Sequence, residues 1–371
     1  MIQKNGRPLV VEMIRADVRE AARRDAKRRI RPRVYDPDAI PPDAFIIHQA
    51  STWMEMERER QTPRMLFGEF WLEGELCILF ADTNMGKSLL AVQLGDSITR
   101  GKAITPFKMD AEPSPVLYID FELTGKQFEQ RYTDGSITHT FHENFYRGEF
   151  DQMTGLPQDF KTFDEFITHA LSRAIKRTDA RVLIIDNITC LRNGTERSSQ
   201  ALSLMKQLKL LKTRHGLSIL VLAHTPKRNP SLPITRNDLQ GSKMLINFAD
   251  SAFAMAESQT LPGYRYFKQV KQRSTAEMYG SHNVCLGRLE RQNGFLQFVF
   301  SHTDNEVKHL RRYSQIERQR RAADVLALHK QDLSQRQIAG RLEMSLSAVN
   351  RVLGGGGGIK WFGILQQRYS R

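Results

Sequence analysis

Cysteine is scarce in this chain, and the three present, Cys77, Cys190 and Cys285, stand far apart. None lies in a Cys-x-x-Cys pair or a Cys/His cluster of metal-ligand spacing, so neither a disulfide framework nor a structural zinc site is expected. Long apolar runs are missing too. No stretch approaches the roughly 20 residues of a membrane helix, and Leu9-Val-Val-Glu-Met-Ile14 is too short and interrupted for a signal-peptide core. The expectation is a soluble, cytoplasmic protein with no membrane partner. No internal repeat is visible.

Net charge is nearly absent from the middle and abundant at the ends. Residues 1–34 carry 11 Lys/Arg against 4 Asp/Glu, residues 306–371 carry 13 against 5, and 31 against 32 remain between them, within a net charge of +14. Two basic ends around a neutral core point to a nucleic-acid partner more than a uniformly basic surface would. At 371 residues the chain exceeds a single core, since cores stop growing near about 250 to 300 residues.

Residues 1–44 read as a basic, Arg-rich arm followed by an extended spacer, Asp36-Pro-Asp-Ala-Ile-Pro-Pro-Asp43. From 45 to 305 short apolar runs alternate with longer amphipathic segments, the rhythm of an α/β domain with a largely parallel twisted sheet flanked by helices. The runs Leu76–Phe80, Val116–Ile119, Val182–Ile185 and Leu217–Leu222 lack strict alternation, as strands buried on both faces do. Each is followed at once by polar residues. In open α/β sheets ligands bind beyond the carboxyl ends of the strands, so those residues should converge on one crevice.

The first such end is Ala81-Asp82-Thr83-Asn84-Met85-Gly86-Lys87-Ser88, followed by Leu89 and an apolar helical segment that stops at Gly101. This reads as a P-loop, in which backbone N–H groups and a helix N-terminus cradle phosphates. Lys87 would reach the β- and γ-phosphates of ATP, and the Ser88 hydroxyl would bind Mg²⁺. Ala81 stands where the pattern has its first glycine, and its Cβ restricts the backbone there. Asp186, closing Arg181-Val-Leu-Ile-Ile-Asp186, is placed as a Walker B carboxylate reaching Mg²⁺ through water. Beyond Val116–Ile119, alternation points Asp120 and Glu122 the same way, and Glu122 is the candidate general base, unless it caps the helix near Thr124. His224 closes the next strand and could sense the γ-phosphate. Tyr264–Val270 alternates like a strand and delivers Lys271 and Arg273, two cations suited to a transferred phosphate of a neighbouring subunit.

Taken together, these motifs resemble the RecA-like P-loop ATPases, and within them the RepA-type hexameric plasmid replicative helicases and related ATPases of mobile elements. The resemblance spans roughly residues 60–275 and rests on the order of Lys87 and Ser88, Glu122, Asp186, His224, and Lys271 with Arg273. It implies a ring, a hexamer, with ATP between subunits and single-stranded DNA in a central channel. The loops it would place in that channel carry Arg192, Lys227, Arg228, Arg236 and Lys243, cations suited to sequence-independent phosphate contact.

Residues 306–353 read as a helix-turn-helix. Ser334 can cap one helix and Ser345 the next, so Ser345, Ser347, Ala348, Asn350 and Arg351 are the candidates to touch duplex DNA. The Gly354–Gly358 run then opens a flexible linker and basic tail over 354–371. The leading expectation is a DNA-dependent ATPase, a helicase or remodelling motor in replication or transfer of a plasmid or mobile element. Two alternatives stay open: a site-specific DNA-binding regulator that uses ATP as an assembly switch, and a non-catalytic scaffold if Ala81 marks a degenerate loop.

Overall fold

A computed structural model describes residues 45–151, 155–188, 198–226, 228–240, 243–313 and 315–354. Its centre is one nine-stranded sheet: β1 (Leu76–Ala81), β2 (Val116–Asp120), β3 (Phe145–Glu149), β4 (Val182–Asp186), β5 (Ser218–His224), β6 (Ser251–Glu257), β7 (Tyr264–Lys271), β8 (Val284–Gln292) and β9 (Phe295–Asp304). The spatial order is β9-β8-β7-β6-β1-β5-β4-β2-β3. The six strands from β6 to β3 run parallel, and β7, β8 and β9 add an antiparallel extension beside β6.

The four apolar runs became central strands because both faces of each are covered. In β1, Leu76, Ile78 and Phe80 enter one core with helices α2 (Phe163–Thr178) and α3 (Ser198–His215), while Cys77, Leu79 and Ala81 enter the other with α1 (Lys87–Arg100). Strand alternation thus sends successive side chains into two different apolar layers.

A one-sided apolar stripe on α1 is not what the structure has. Twelve of its 14 residues are buried, including Gln93 and Asp96. The reason is the antiparallel extension: Phe267, Phe295, Phe298 and Phe300 belong to the same core as α1, and the Tyr132 ring stacks on Phe295 at 5.3 Å. The sheet curls until residues near its two ends meet over the helix. Gln93 secures the curl, its amide donating to Phe298 O and accepting from Phe298 N, both at 2.9 Å.

Beyond β9, α4 (Gln315–His329), α5 (Gln335–Arg341) and α6 (Leu346–Leu353) form a three-helix unit on a small core of Val325, Ile338 and Val349. Ser334 accepts from Gln337 N and Ser345 from Ala348 N, so both expected serine caps are in place.

The crowding around α1 is open to test at Gly95, where a Cβ would run into the Phe145 ring. Alanine improves helix propensity over glycine by about 1 kcal/mol, but overpacking a tight core costs about 1–3 kcal/mol. Gly95→Ala should therefore lower the urea midpoint, and Phe145→Leu in the same chain should recover part of the loss. A raised midpoint in the single variant would contradict the enclosure described.

Candidate functional site

Four parallel strands deliver their last residues side by side. Ala81 of β1 pairs with His224 of β5, and Asp120 of β2 pairs with Asp186 of β4. The P-loop leaves β1 at this edge and turns through two left-handed residues, Asn84 (φ 62°) and Gly86 (φ 99°), before α1 begins at Lys87. A Cβ at Gly86 would come within 2.9 Å of the Phe298 ring, so both conformation and space require glycine there. Ala81 needs no such freedom. It ends a β-strand, lies outside the left-handed region and is fully buried, which removes the difficulty its Cβ posed.

Lys87 is 6% exposed, and its ammonium donates to Ala81 O at 3.1 Å and Asp82 O at 2.9 Å, with His224 Nδ1 at 3.2 Å. Among the described residues no carboxylate oxygen is within ion-pair distance of it. Burial pulls its pKa down, opposed by the more distant charges of Asp186, Glu122 and Asp82. A buried cation held by neutral acceptors at the positive end of a helix suits an anion.

Because Lys87 has only hydrogens to give, His224 Nδ1 can only accept from it, while Nε2 faces two groups, Glu122 Oε1 and the Asn187 amide nitrogen at 3.1 Å. Nε2 lies 3.5 Å from Glu122 Oε1. The Asn187 amide donates to the same carboxylate oxygen, beside the imidazole. The His224 hydrogen bond, Asn187 and the charge of Lys87 together hold Glu122 below the usual carboxylate range despite partial burial, so it stands ionised and able to take a proton. Asn187 is 2% exposed and was not singled out from sequence. Its only signal was a polar residue directly after the Val182–Asp186 strand.

Asp120 and Glu122 do not share a facing. Asp120 ends β2, accepts from Glu122 N at 3.0 Å and Leu123 N at 2.9 Å, and takes two bonds from the Arg147 guanidinium at 3.0 and 2.9 Å. It shapes the turn that carries Glu122. Alternation fails because the strand stops at Asp120. Nor does Glu122 cap the next helix, Gly125–Arg131, where Thr124 and Gln127 form a capping box.

Asp186 is 1% exposed and accepts from the Tyr118 hydroxyl at 2.6 Å. Burial pushes its carboxyl up to about 6, against the favourable hydroxyls of Ser88 and Tyr118. The Ser88 hydroxyl and Asp186 carboxylate fit a hard divalent cation, which would relieve the buried charge.

Lys271 and Arg273 are not brought to this crevice. Lys271 pairs with Ala252, level with Ile78, about 10 Å down the strands from Ala81 at ~3.3 Å per residue. Its ammonium donates to Ile246 O at 2.6 Å and Asn247 O at 3.1 Å, and Arg273 donates to Asn247 O at 2.8 Å. Burial first, then Arg273 beside it, lowers Lys271 to about 8. Arg228 also turns inward, donating to Leu232 O and facing Asp238 at 4.0 Å, whereas Arg236 is exposed. Arg192, Lys227 and the Lys243 side chain lie outside the described residues, as do the arm 1–44 and the tail from 355. On α6, Ser347, Asn350 and Arg351 are exposed, and Ser345 and Ala348 are half-buried.

With that geometry in view, a family model described as an AAA domain matches residues 43–230, half of the chain. The chain belongs to that AAA-domain family. The matched span holds every residue of the crevice, Lys87, Ser88, Glu122, Asp186, Asn187 and His224, as a P-loop ATPase of that family would. Among solved structures the chain is similar to a KaiC-like protein of the hyperthermophilic archaeon Pyrococcus horikoshii OT3, at 13% identity and a TM-score of 0.44, over 64% of this chain and 99% of that one. No curated protein sequence matches it. No helix among the described residues is long and apolar enough to cross a membrane.

The buried Asp186 carboxylate gives a pH test. An unfolded Asp titrates near about 3.9, so the native state keeps the Asp186 proton to higher pH; that stabilisation is full below about pH 4 and lost as pH climbs through 6. Asp186→Asn should abolish turnover yet, at pH 8 without nucleotide, stabilise the protein by on the order of 2 kcal/mol, with the difference closing near pH 4. Thermal unfolding of both proteins across that range checks it, and a variant less stable at pH 8 would contradict it.

Proposed function

We propose that this protein is a DNA-dependent ATPase that assembles into a ring, a hexamer in the resemblance above, and moves on or remodels DNA in the replication or transfer of a plasmid or mobile element. The observation that carries the reading is the chain of contacts Lys87, His224, Glu122 and Asn187 at one sheet edge, next to Ser88 and Asp186. It joins phosphate binding, a general base and a reporting histidine through direct contacts.

Lys87 and the P-loop N–H groups bind the phosphates of ATP, and Ser88 and Asp186 hold Mg²⁺, which supplies charge neutralisation on the phosphates. Glu122 orients the attacking water and takes its proton. Lys87 cannot serve both the phosphates and His224 Nδ1 fully, so ATP binding weakens the bond that now holds the imidazole. His224 then passes the occupancy of the site to the segment beyond it, which contains Arg228 and Arg236. Exposed Arg236 contacts single-stranded DNA, and Ser347, Asn350 and Arg351 meet duplex DNA.

The position of Lys271 and Arg273, at the end of the sheet away from their own P-loop, supports action on a neighbour's ATP. A second reading, a DNA-binding regulator that assembles with ATP but does not unwind, is favoured by the exposed polar face of α6. Strand displacement that is lost in Lys87→Ala, with ATP turnover falling at least about a hundredfold, supports the motor; turnover stimulated by DNA without displacement under any polarity or salt supports the regulator.

If Lys271 acts as a cation across subunits, it should lose charge, and turnover, as pH rises through about 8. Lys271→Arg should keep the charge and extend activity to higher pH, measured as kcat from pH 7 to 9.5. An identical alkaline limb in both proteins would remove Lys271 from the reaction.

A further inference from the structure

The segment after β5 leaves the nucleotide site and returns to it. Thr225 N donates to Ala81 O at 3.0 Å, and Gln240 N donates to His224 O at 2.9 Å. Between those anchors stands Asn229, whose side chain bridges to the C-terminal unit. Its Oδ1 accepts from Ser231 N at 2.9 Å, Ser231 Oγ at 2.7 Å and the Tyr313 hydroxyl at 3.3 Å, and its Nδ2 donates to Glu343 O at 2.6 Å. Arg311 N adds a bond to Pro230 O at 3.0 Å.

Glu343 lies in the turn between α5 and α6 and holds a left-handed backbone, φ 50°. On the other side of that turn Arg321 donates to Leu342 O at 2.6 Å, with its guanidinium 4.5 Å over the Tyr313 ring. The turn that sets the pose of α6 is therefore clasped between α4 and the loop that follows His224. Its packing is open. A cleft of about 320 Å³ separates Ser231 and Leu232 from Met344, Ser345, Ala348 and Arg351, room for on the order of ten waters at ~30 Å³ each. Hydrogen bonds around an open cleft fix an orientation without the rigidity of a close-packed core.

We propose that this surface is a docking site through which the ATPase domain sets the presentation of α6, with Asn229 as the positioning residue that couples nucleotide to duplex DNA. Phosphate binding draws Lys87 from His224, the loop anchored at Ala81 and His224 shifts, and Asn229 moves the Glu343 turn. Ser347, Asn350 and Arg351 on the exposed face of α6 are then offered to the duplex differently in the two states. The inference rests on the reading of residues 306–353 as a duplex-binding module.

Linkage makes the coupling reciprocal: the factor by which nucleotide changes duplex affinity equals the factor by which duplex changes nucleotide affinity. The test uses the full chain, a labelled mixed-sequence duplex of about 30 base pairs, roughly three helical turns, and a non-hydrolysable ATP analogue. Each Kd is measured with and without the other ligand. The wild type should give matching factors of about fivefold or more, and Asn229→Ala and Tyr313→Phe should each bring them toward one while leaving the analogue's Kd without DNA within about twofold. Factors of one in the wild type, with both ligands bound, overturn the coupling alone, as do unchanged factors in both variants. A chain that binds the analogue but no duplex in any state overturns the duplex-binding reading, and the coupling with it.

Discussion

The arrangement depends on a buried ammonium whose direct contacts are all neutral. Lys87 sits at the first turn of an enclosed helix, with two carbonyl oxygens and one imidazole nitrogen as its acceptors. Each neutral acceptor offsets part of the cost of burying a charge, and none removes it. A polyphosphate would, and its arrival must compete with at least one of those three acceptors, of which the imidazole is one. His224 lies between Lys87 and Glu122.

Such a cation needs a rigid frame. The P-loop helix gets one from the curl of the sheet, in which the antiparallel strands β8 and β9 bring Phe298 against Gly86 and let Gln93 bond to the backbone of β9. Farther along, Lys268 and Glu306 form a buried pair at 2.6 Å, and the same two side chains bond to the main chain of Ile234, on the segment that follows His224. Strong polar contacts thus anchor the middle of that segment, while its Asn229 end meets the C-terminal unit beside an open cleft.

Where residues are buried on both faces, the sequence was readable: Leu76–Phe80, Val116–Ile119, Val182–Ile185 and Leu217–Leu222 have no other stable use than central strands, and the polar residues at their ends had to share an edge. The edge strand Phe145–Glu149 was not readable, because Arg147, Gly148 and Glu149 carry the polarity of a loop; Arg147 is there to hold Asp120. Glu122 was found by its position after a strand, but the inference that Asp120 shared its facing extended a period of two beyond the residue where the strand ends. Asn187 escaped notice since an amide after a strand is an ordinary turn residue until the fold sets it beside Glu122 and His224. Lys271 and Arg273 were correctly read as strand-end cations, and only the register with β6 reveals how far they lie from their own P-loop.

The most direct measurement is nitrogen-15 NMR of His224 in the full chain, followed during titration with a non-hydrolysable ATP analogue and Mg²⁺. Without nucleotide, Nδ1 should report a nitrogen accepting from Lys87, and saturation should shift the Nδ1 resonance as Lys87 turns to the phosphates. A Nδ1 signal that stays unchanged while the analogue demonstrably binds would contradict the claim that Lys87 and His224 are linked through nucleotide occupancy.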